Sequence, residues 1–590
     1  MKQFFKFMLA SMTGYLLLWI VMGFIFFSII ASIASFAKKT TVVIDNNSVL
    51  TLKLDQPIPD RTSENPLGNF DFASMSSHKA QGLDNLLNML KRAADDSKIK
   101  GIFLDLNDIP SGIATIEELR NALLDFKKSG KFIYAYSEDY SQKAYYVATV
   151  ADKIFLNPQG SITFKGLAAE MMFFKGTLEK LNVQVQIIRH GKFKSAIEPF
   201  ILDKMSNANR EQYQRLLDVI WKQMVDGIST ERKITVADLN KIADSLKIQV
   251  ADDAVKYKLV DKLAYRDEVL DELKNKLGEK SISDISFVSP NKYLKSKETK
   301  TKFVMGKKKI AIVYAIGQIG GGEGDEKNIG SERISRAIRE ARSDSSVRAI
   351  VLRINSPGGS ALASEVIWRE VVLANKVKPV VVSMGDLAAS GGYYIATGAT
   401  KIFAEPNTLT GSIGVFGVIP NLEKFFKDKL GITIDAVKTN KHSDYITTNR
   451  AMEPYETKII TDQVENTYQV FIGHVAEGRK MTKAQVDSIG QGRVWSGIDG
   501  KRIGLVDEIG GMDAALAAAA KLAGLAQYKI VTYPKYKDSF SQLIEQLTGD
   551  DTEMKIKTAL GENYVYYEYL QNLKSQKGVQ ARLPFDMVIN

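Results

Sequence analysis

A serine followed by two glycines is the segment of this chain best suited to nucleophilic chemistry. Ser390 lies in AASGGYY (388–394), shortly after the apolar run KPVVVSM (378–384). This pattern predicts that Ser390 begins a helix, whose dipole favours developing negative charge, while the glycines let a substrate carbonyl approach the hydroxyl. A serine at this place could instead be only a helix N-cap.

A second glycine-containing segment supports the interpretation of Ser390 as a catalytic residue. NSPGGS (355–360) follows the apolar run VRAIVLRI (347–354). Its proline and paired glycines predict a tight turn whose backbone N–H groups can face an anion. The two loops follow successive predicted parallel strands, at the carboxyl ends where open sheets place their ligand sites. Together they favour an active site over two unrelated structural turns.

The elements that must position these loops occur twice. Residues 96–166 align with residues 344–414 without a gap, at a constant separation of 248 residues. The identities include Asp96/Asp344, Ile102/Ile350, Leu104/Leu352, Asn107/Asn355, Glu117/Glu365, Tyr145/Tyr393, Tyr146/Tyr394 and Pro158/Pro406. Both copies show the pattern of a strand, a helix and a second strand. Each copy begins with an apolar strand, at 48–54 in the first and at 308–316 in the second. The sequence therefore predicts two tandem homologous α/β domains with parallel sheets flanked by helices.

The amino-terminal segment predicts a membrane anchor. No charged residue lies between Lys6 and Lys38, and the stretch 16–33 is apolar over about the 20 residues that span a bilayer. A cleaved secretory signal is the alternative. Lys2 and Lys6 balance Lys38 and Lys39, so charge does not determine the orientation. The predicted organisation is an anchor (1–40), a first α/β repeat (41–290), a linker (291–308), a second α/β repeat (309–545) and a C-terminal tail (546–590).

Composition excludes several classes of site. Cysteine is absent, which removes disulfides, thiolate nucleophiles and cysteine metal ligands and favours a body outside the cytoplasm. The four histidines form no zinc-binding motif, so we expect no metal and no other cofactor. The net charge of +11 is spread over the chain, and no basic, aromatic-rich stripe indicates nucleic-acid binding.

Several of these motifs together resemble the signal peptide peptidase A family of serine proteases, in its long duplicated form. The matching segments are INSPGGS (354–360), MGDLAASGGYY (384–394), TLTGSIGVFG (408–417) and GKFKSAIEPF (191–200). The resemblance covers nearly the whole chain and implies a fold related to the Clp protease and crotonase group.

The resemblance also implies roles for particular residues. Ser390 would be the nucleophile, Lys194 the general base and Ser412 the serine that orients the lysine. The oxyanion hole would comprise the Gly391 N–H and an N–H from the turn at Gly358 and Gly359.

The choice of Lys194 over Lys192 rests on the resemblance, because strand alternation puts both side chains on one face. The base must be neutral, so burial has to lower its pKa from about 10.4, and we expect the Glu198 carboxylate to point elsewhere. In the alignment of the copies Lys194 faces Ser443, while Ser390 faces Gln142 and Ser412 faces Phe164. Each copy has therefore lost the partner that the other retains.

For the whole protein the resemblance implies a membrane-anchored serine endopeptidase that degrades remnant signal peptides and other apolar peptides. We expect a homotetramer in the bacterial inner membrane, with one spanning helix and a periplasmic body. Three alternatives remain open. The first is a Ser-His-Asp triad that uses His190 or His442. The others are an inactive membrane-anchored peptide-binding scaffold and a crotonase-like acyl-CoA enzyme.

Overall fold

A computed structural model describes residues 2–36, 42–63, 70–71, 76–77, 81–296, 308–536 and 580–582 of the chain. We call residues 42–296 the first half and residues 308–536 the second half. The predicted anchor begins with a long helix, α1 (Lys2–Phe36). Its segment Gln3–Phe24 is long and apolar enough to cross a membrane, and none of it is buried against the rest of the protein.

The first half is built on a six-stranded parallel sheet of order β8-β6-β5-β4-β1-β9. The strands of this half are β1 (Ser48–Leu52), β2 (Phe70–Asp71), β3 (Ser76–Ser77), β4 (Ile99–Asp105), β5 (Phe132–Tyr140), β6 (Lys153–Ile162), β7 (Gln184–His190), β8 (Lys262–Leu263) and β9 (Phe287–Val288). Its helices are α2 (Leu83–Asp95), α3 (Ile113–Lys127), α4 (Gln142–Ala148), α5 (Lys175–Lys180), α6 (Glu198–Ile201), α7 (Asn207–Arg232), α8 (Val236–Asp244), α9 (Ala251–Lys256), α10 (Arg266–Leu277) and α11 (Pro290–Lys295).

The second half repeats this strand order in the path β21-β10-β13-β15-β16-β20, and β17 and β19 extend the sheet beyond β15. The strands are β10 (Lys309–Ile316), β11 (Ile319–Gly320), β12 (Ile329–Gly330), β13 (Val347–Ser356), β14 (Gly358–Ser360), β15 (Val380–Ala389), β16 (Lys401–Ala404), β17 (Leu409–Gly411), β18 (Val415–Asn421), β19 (Val494–Ser496), β20 (Glu508–Ile509), β21 (Lys529–Tyr533) and β22 (Gln580–Arg582). The helices are α12 (Ser331–Ser343), α13 (Ala361–Asn375), α14 (Gly391–Ala396), α15 (Pro454–Arg479), α16 (Lys483–Ile489), α17 (Gly497–Arg502) and α18 (Met512–Leu522).

Each sheet is buried on both faces, which explains why its strands are continuous apolar runs rather than alternating ones. In β13, for example, Ile350 and Leu352 pack into the core on one face, while Ala349 and Val351 pack on the other beneath α18. The predicted fold class is therefore confirmed: the chain holds two tandem α/β units with mainly parallel sheets and flanking helices, preceded by an apolar helix.

The boundaries of these units stay a prediction. The first residues of the predicted linker lie in α11, where buried Tyr293 donates a hydrogen bond from its hydroxyl to Asp96 Oδ2 (2.9 Å). Residues 297–307 of the linker lie outside the described residues, as does the predicted tail except for β22.

A third sheet joins the two halves in the order β12-β11-β14-β22-β18-β7. Here β7 of the first half pairs antiparallel with β18 of the second half over seven residues, from Gln184↔Asn421 to His190↔Val415. The two halves therefore share backbone hydrogen bonds as well as side-chain contacts, and segments far apart in sequence meet at this sheet.

A buried ion cluster also crosses between the halves. The guanidinium of Arg353, on β13, lies 2.6 Å from Asp60 Oδ1 and 2.6 Å from Glu118 Oε1. All three side chains are at most 5% exposed. Burial disfavours the charged guanidinium, but the two carboxylates outweigh it and raise the pKa of Arg353. The positive charge of Arg353 is therefore stabilised by two carboxylates of the other half.

Replacing Arg353 with methionine is expected to destabilise the protein strongly. The change leaves the Asp60 and Glu118 carboxylates buried without their counter-charge, a loss of about 3–5 kcal/mol in the free energy of unfolding. Urea denaturation at pH 7 measures it. The matched control is Arg336→Met, because Arg336 pairs with Glu323 at the surface and should change stability by less than about 1 kcal/mol. Equal losses in both variants would contradict the assignment.

Candidate active site

Ser390 and Lys194 meet where the two halves join. Lys194 Nζ lies 2.9 Å from Ser390 Oγ, 3.0 Å from Ser412 Oγ and 3.2 Å from the Ser412 carbonyl oxygen. All three residues are fully buried. An amine in hydrogen-bond contact with a serine hydroxyl has the geometry of a general base next to its nucleophile.

The backbone presents Ser390 in a conformation that is rare outside glycine. The residue follows the last residue of β15 with φ +55° and ψ −114°, and its N–H donates to the Gly411 carbonyl (2.8 Å). Helix α14 starts at the next residue, yet the Ser390 side chain makes no capping hydrogen bond to it. Strained residues of this kind need support from their surroundings and occur at functional sites. The hydroxyl is thus turned away from a capping role and toward Lys194.

The loop that carries Lys194 is held by the second half. Phe193 N–H donates to the Gln491 carbonyl (2.9 Å). Gly191 has φ +102°, and a methyl group added to it would overlap the Gln491 backbone. Gly492 (φ +76°) packs so closely that an added methyl would stand 2.6 Å from Lys194 Cβ. These two glycines let the loop after β7 lie directly on residues 491–492.

Burial controls the protonation of Lys194. Desolvation lowers the pKa of its amine well below the usual value. The Glu198 carboxylate does not offset this effect, because it accepts hydrogen bonds from Ser206 Oγ (2.6 Å) and Asn209 Nδ2 (3.0 Å). As expected from the sequence, Glu198 points away from the amine. The site therefore holds Lys194 toward its neutral, proton-accepting form.

Gln212 is a positioning residue that the sequence reasoning missed. This buried residue of α7 donates from Nε2 to Ser195 Oγ (3.0 Å) and Asn209 Oδ1 (2.9 Å), and its Oε1 accepts from Val494 N–H (3.2 Å). It therefore ties the residue next to Lys194 to β19 of the second half. One glutamine in a polar helix carries no motif, so only its location in the fold reveals this role.

The two glycine loops lie side by side. A methyl group added to Gly358 would stand 2.7 Å from Gly391 N, and one added to Gly391 would stand 3.1 Å from Gly359 N. The Gly358 N–H itself donates to Ser356 Oγ (3.1 Å). Gly358 has φ +95° and Gly359 φ +156°, which a residue with a side chain rarely adopts. Backbone N–H groups of the two loops are thus gathered next to Ser390.

The equivalent place in the first half is filled differently. Gln142, opposite Ser390 in the alignment, donates from Nε2 to the Gly166 carbonyl (3.2 Å) and accepts from Lys165 N–H (3.1 Å). Phe164, opposite Ser412, is buried in the apolar core. Pro110, opposite Gly358, lacks an N–H altogether, so it could not donate to an anion. This difference is visible in the sequence but was not among the predicted features. The first half thus lacks both the serines and the glycine turn.

The competing residues lie elsewhere. Lys192 is exposed beside the Phe193 ring. His190 contacts Glu465 (2.6 Å) and stacks on Tyr468, while His442 contacts Glu456 (3.1 Å). Ser443, aligned opposite Lys194, bonds to the Asn440 carbonyl in an exposed turn. His78 lies outside the described residues. The Ser390 hydroxyl, by contrast, is in hydrogen-bond contact with Lys194.

Comparison with known proteins identifies relatives over most of the chain. The profile of Peptidase family S49 matches twice, at residues 125–280 and 373–526. "Protease 4" of Salmonella typhi is 39% identical over 516 residues, which cover 85% of this chain and 82% of that protein. "Serine protease SPPA, chloroplastic" of Arabidopsis thaliana is 31% identical, covering 92% and 78%. Among solved structures, a point mutant of ClpP1 from Listeria monocytogenes covers 35% of this chain and 94% of its own, at 19% identity and a TM-score of 0.24.

Replacing Lys194 with methionine is expected to stabilise the fold while it removes the base. In the unfolded chain this lysine is protonated below about pH 10.4, whereas in the folded protein it is protonated only below its lowered pKa. Between these two pH values the unfolded chain binds one proton more, which lowers the free energy of unfolding. The stabilisation should therefore be present at pH 7 and shrink as the pH approaches 10. Thermal unfolding at pH 7 and 9.5 measures it, at about 2–4 °C per kcal/mol for a domain of 150–250 residues.

The control for this measurement is Lys192→Met, because Lys192 is exposed and its substitution should leave the pH dependence of stability unchanged. A stability difference between Lys194→Met and the unmodified protein that stays the same at pH 7 and 9.5 would contradict the lowered pKa of Lys194.

Proposed function

Because this chain belongs to peptidase family S49 and is a serine peptidase, we propose that it cleaves peptide bonds with a dyad of Ser390 and Lys194. The observation that carries this proposal is the 2.9 Å contact between Lys194 Nζ and Ser390 Oγ in a fully buried site. The lowered pKa of Lys194 supports it, because only a neutral amine accepts the serine proton.

The proposed reaction begins when Ser390 Oγ attacks the scissile carbonyl carbon and its proton passes to Lys194 Nζ. The tetrahedral oxyanion receives hydrogen bonds from the Gly391 N–H and from the turn at Gly358 and Gly359. The Lys194 ammonium then donates its proton to the leaving amine, which departs and leaves an acyl-enzyme. Water attacks this ester while Lys194 again accepts a proton. Lys194 then returns the proton to Ser390 Oγ as the ester bond breaks, which releases the acid product and restores the free serine.

Ser412 is proposed to hold the base in place. Its hydroxyl and carbonyl oxygens both contact Lys194 Nζ, and these two contacts fix the amine while it faces Ser390. Ser412 itself has φ +50°, and its N–H donates to the Arg493 carbonyl (2.7 Å). The position of the amine is thus determined by backbone as well as by side chains, which suits a group that must exchange its proton without moving.

We further propose that the substrates are apolar peptides, in particular remnant signal peptides. Support comes from the resemblance to the signal peptide peptidase A family and from α1, which would keep the site near peptides that leave the bilayer. The protein is proposed to be a homotetramer in the bacterial inner membrane, with its catalytic body in the periplasm. Relatives named Protease 4 occur in bacteria, which agrees with this location.

Labelling with a serine-directed phosphonate tests the dyad. The unmodified protein should label at Ser390 and cleave an apolar peptide, whereas Ser390→Ala should do neither. Lys194→Ala should retain substrate binding but lose at least about 10²-fold in kcat, the range that general-base catalysis contributes. Lys192→Ala is the matched control and should keep nearly full activity. Full activity in Lys194→Ala, or loss of activity in Lys192→Ala instead, would contradict the proposed base.

Membrane fractionation tests the location and assembly. The full chain should stay with membranes after a high-salt wash, and an added protease should degrade its body in spheroplasts but not in intact cells. Deletion of residues 1–40 should release the body into the soluble fraction. Light scattering should give a mass near four times 65.5 kDa for the protein component. A body protected in spheroplasts would place it in the cytoplasm, and a monomeric mass would exclude the tetramer.

A further inference from the structure

The ring of His190 connects the strand that leads to Lys194 with two helices of the second half. His190 is the last residue of β7, four residues before Lys194. Its ring stacks on Tyr468 of α15, with 3.6 Å between the ring centroids, and its Nδ1 lies 2.6 Å from Glu465 Oε2 on the same helix. The other ring nitrogen, Nε2, lies 3.9 Å from Asp487 Oδ1 of α16. One side chain of the first half thus contacts both helices.

Residues 490–493, which follow α16, form a short connection to β19 that we call the bridging segment. Asp487 Oδ1 accepts hydrogen bonds from the Tyr468 hydroxyl (2.5 Å) and from Gln491 Nε2 (2.5 Å). The Gln491 N–H donates to the Tyr468 hydroxyl (3.4 Å). Because Gln491 has φ +52°, a conformation that residues with a side chain seldom adopt, it depends on such contacts. The groups that His190 touches therefore hold the bridging segment.

The bridging segment in turn contacts the backbone on both sides of the Lys194 amine. Phe193, directly before Lys194, donates its N–H to the Gln491 carbonyl (2.9 Å). Ser412 donates its N–H to the Arg493 carbonyl (2.7 Å). These two hydrogen bonds join the loop that carries the lysine to the serine whose oxygens contact its amine. A displacement of the bridging segment would therefore loosen both.

We propose that His190 is a positioning residue, which keeps the proposed base enclosed by supporting the bridging segment. This inference rests on the proposed peptidase function. The ring contacts α15 and α16, so it acts through other residues and not on the reacting atoms. With the ring in place, the bridging segment holds the loop of Lys194 against the second half and keeps water from the amine. Without the ring, water would reach Lys194, and hydration favours the charged ammonium.

The protonation of Lys194 makes this role measurable. Burial lowers the pKa of Lys194, and only the neutral amine accepts the serine proton, so activity should rise with pH through that pKa. If water enters, the pKa rises toward that of a lysine in water, and the acidic limb of the pH profile moves to higher pH. A residue that supported only the fold would lower the amount of active protein and leave the limb where it is. The position of the limb therefore separates a positioning role from a structural one.

Replacing His190 with phenylalanine keeps an aromatic ring against Tyr468 and removes both ring nitrogens. The Glu465 and Asp487 side chains are 48% and 44% exposed, so water can solvate them in the variant. The acidic limb of the kcat–pH profile for an apolar peptide should move up by about one pH unit, so that kcat at a pH on this limb falls about tenfold. KM should stay the same, because the glycine loops beside Ser390 are not altered. The rate of labelling by the serine-directed phosphonate should show the same shift.

Replacing Tyr468 with phenylalanine tests the connection from its other end. The change removes the hydroxyl that contacts Asp487 and Gln491. The acidic limb should move in the same direction as in His190→Phe. The double variant should shift it no further than the larger of the two single effects, because residues that act through one contact are not additive.

The matched control is His442→Phe. The His442 side chain is 27% exposed, against 25% for His190, and its Nδ1 also contacts a glutamate, 3.1 Å from Glu456 Oε1. It precedes α15 and its ring lies beside Tyr455 rather than Tyr468. This variant should leave kcat, KM and the acidic limb as they are in the unmodified protein.

Three results would overturn the proposal. The first is an acidic limb that stays in place in both His190→Phe and Tyr468→Phe, and the second is an equal shift in His442→Phe. The third is a higher KM with an unchanged limb, because the effect would then lie on substrate binding. If the unmodified protein itself neither labels nor cleaves, the dyad of Ser390 and Lys194 is wrong and this inference falls with it.

Discussion

The burial of one lysine amine is the constraint on which the site depends. A lysine in water is charged at neutral pH and cannot accept the proton of a serine. Lys194 lies in contact with Ser390 and Ser412 and is enclosed by both halves, so the lost hydration lowers its pKa. Such a site works only without a nearby carboxylate, since a negative charge would restore the ammonium form. Helix α7 meets this requirement, because its Ser206 cap and Asn209 hold the Glu198 carboxylate away from the amine.

This constraint explains which parts of the duplication stayed alike. The contact of Tyr146 with Glu117 recurs as that of Tyr394 with Glu365, and the tyrosine before each donates to a backbone carbonyl, of Leu259 or Leu505. These pairs hold the helix after each central strand and are needed in any copy of the fold. The proposed catalytic groups differ between the copies, because one enclosed space between the halves requires only one serine and one lysine. At the positions equivalent to the two serines, the first half has Gln142 and Phe164. Gln142 makes hydrogen bonds through its amide, and Phe164 packs into the apolar core.

The sequence predicted those elements that are marked by a local pattern of apolar residues. Apolar runs gave the first residue of β1, β10, β13 and β15 to within two residues, because strands buried on both faces need uninterrupted apolar side chains. Spacing did not distinguish Lys194 from Lys192, since the alternation rule assumes an extended strand. The strand β7 ends at His190, and Gly191 with φ +102° turns the chain before either lysine. The Arg353 ion cluster, Gln212 and β22 were missed because their partners lie far away in sequence and follow no period.

The contacts between the halves hold both members of the proposed dyad, one on each side. Strand β15 leads directly into Ser390, and four residues before that serine Asp386 accepts hydrogen bonds from the N–H groups of Ala114 and Thr115 at the start of α3. Because the N-cap residue of α3 is a glycine, this carboxylate from the other half replaces the missing cap. On the opposite side, Gln212 links the loop of Lys194 to β19. Ser390 and Lys194 are thus each fixed partly by the half that does not contain them. A separation of the halves would therefore move the serine and the lysine apart and also hydrate the amine, so that geometry and protonation state would be lost together.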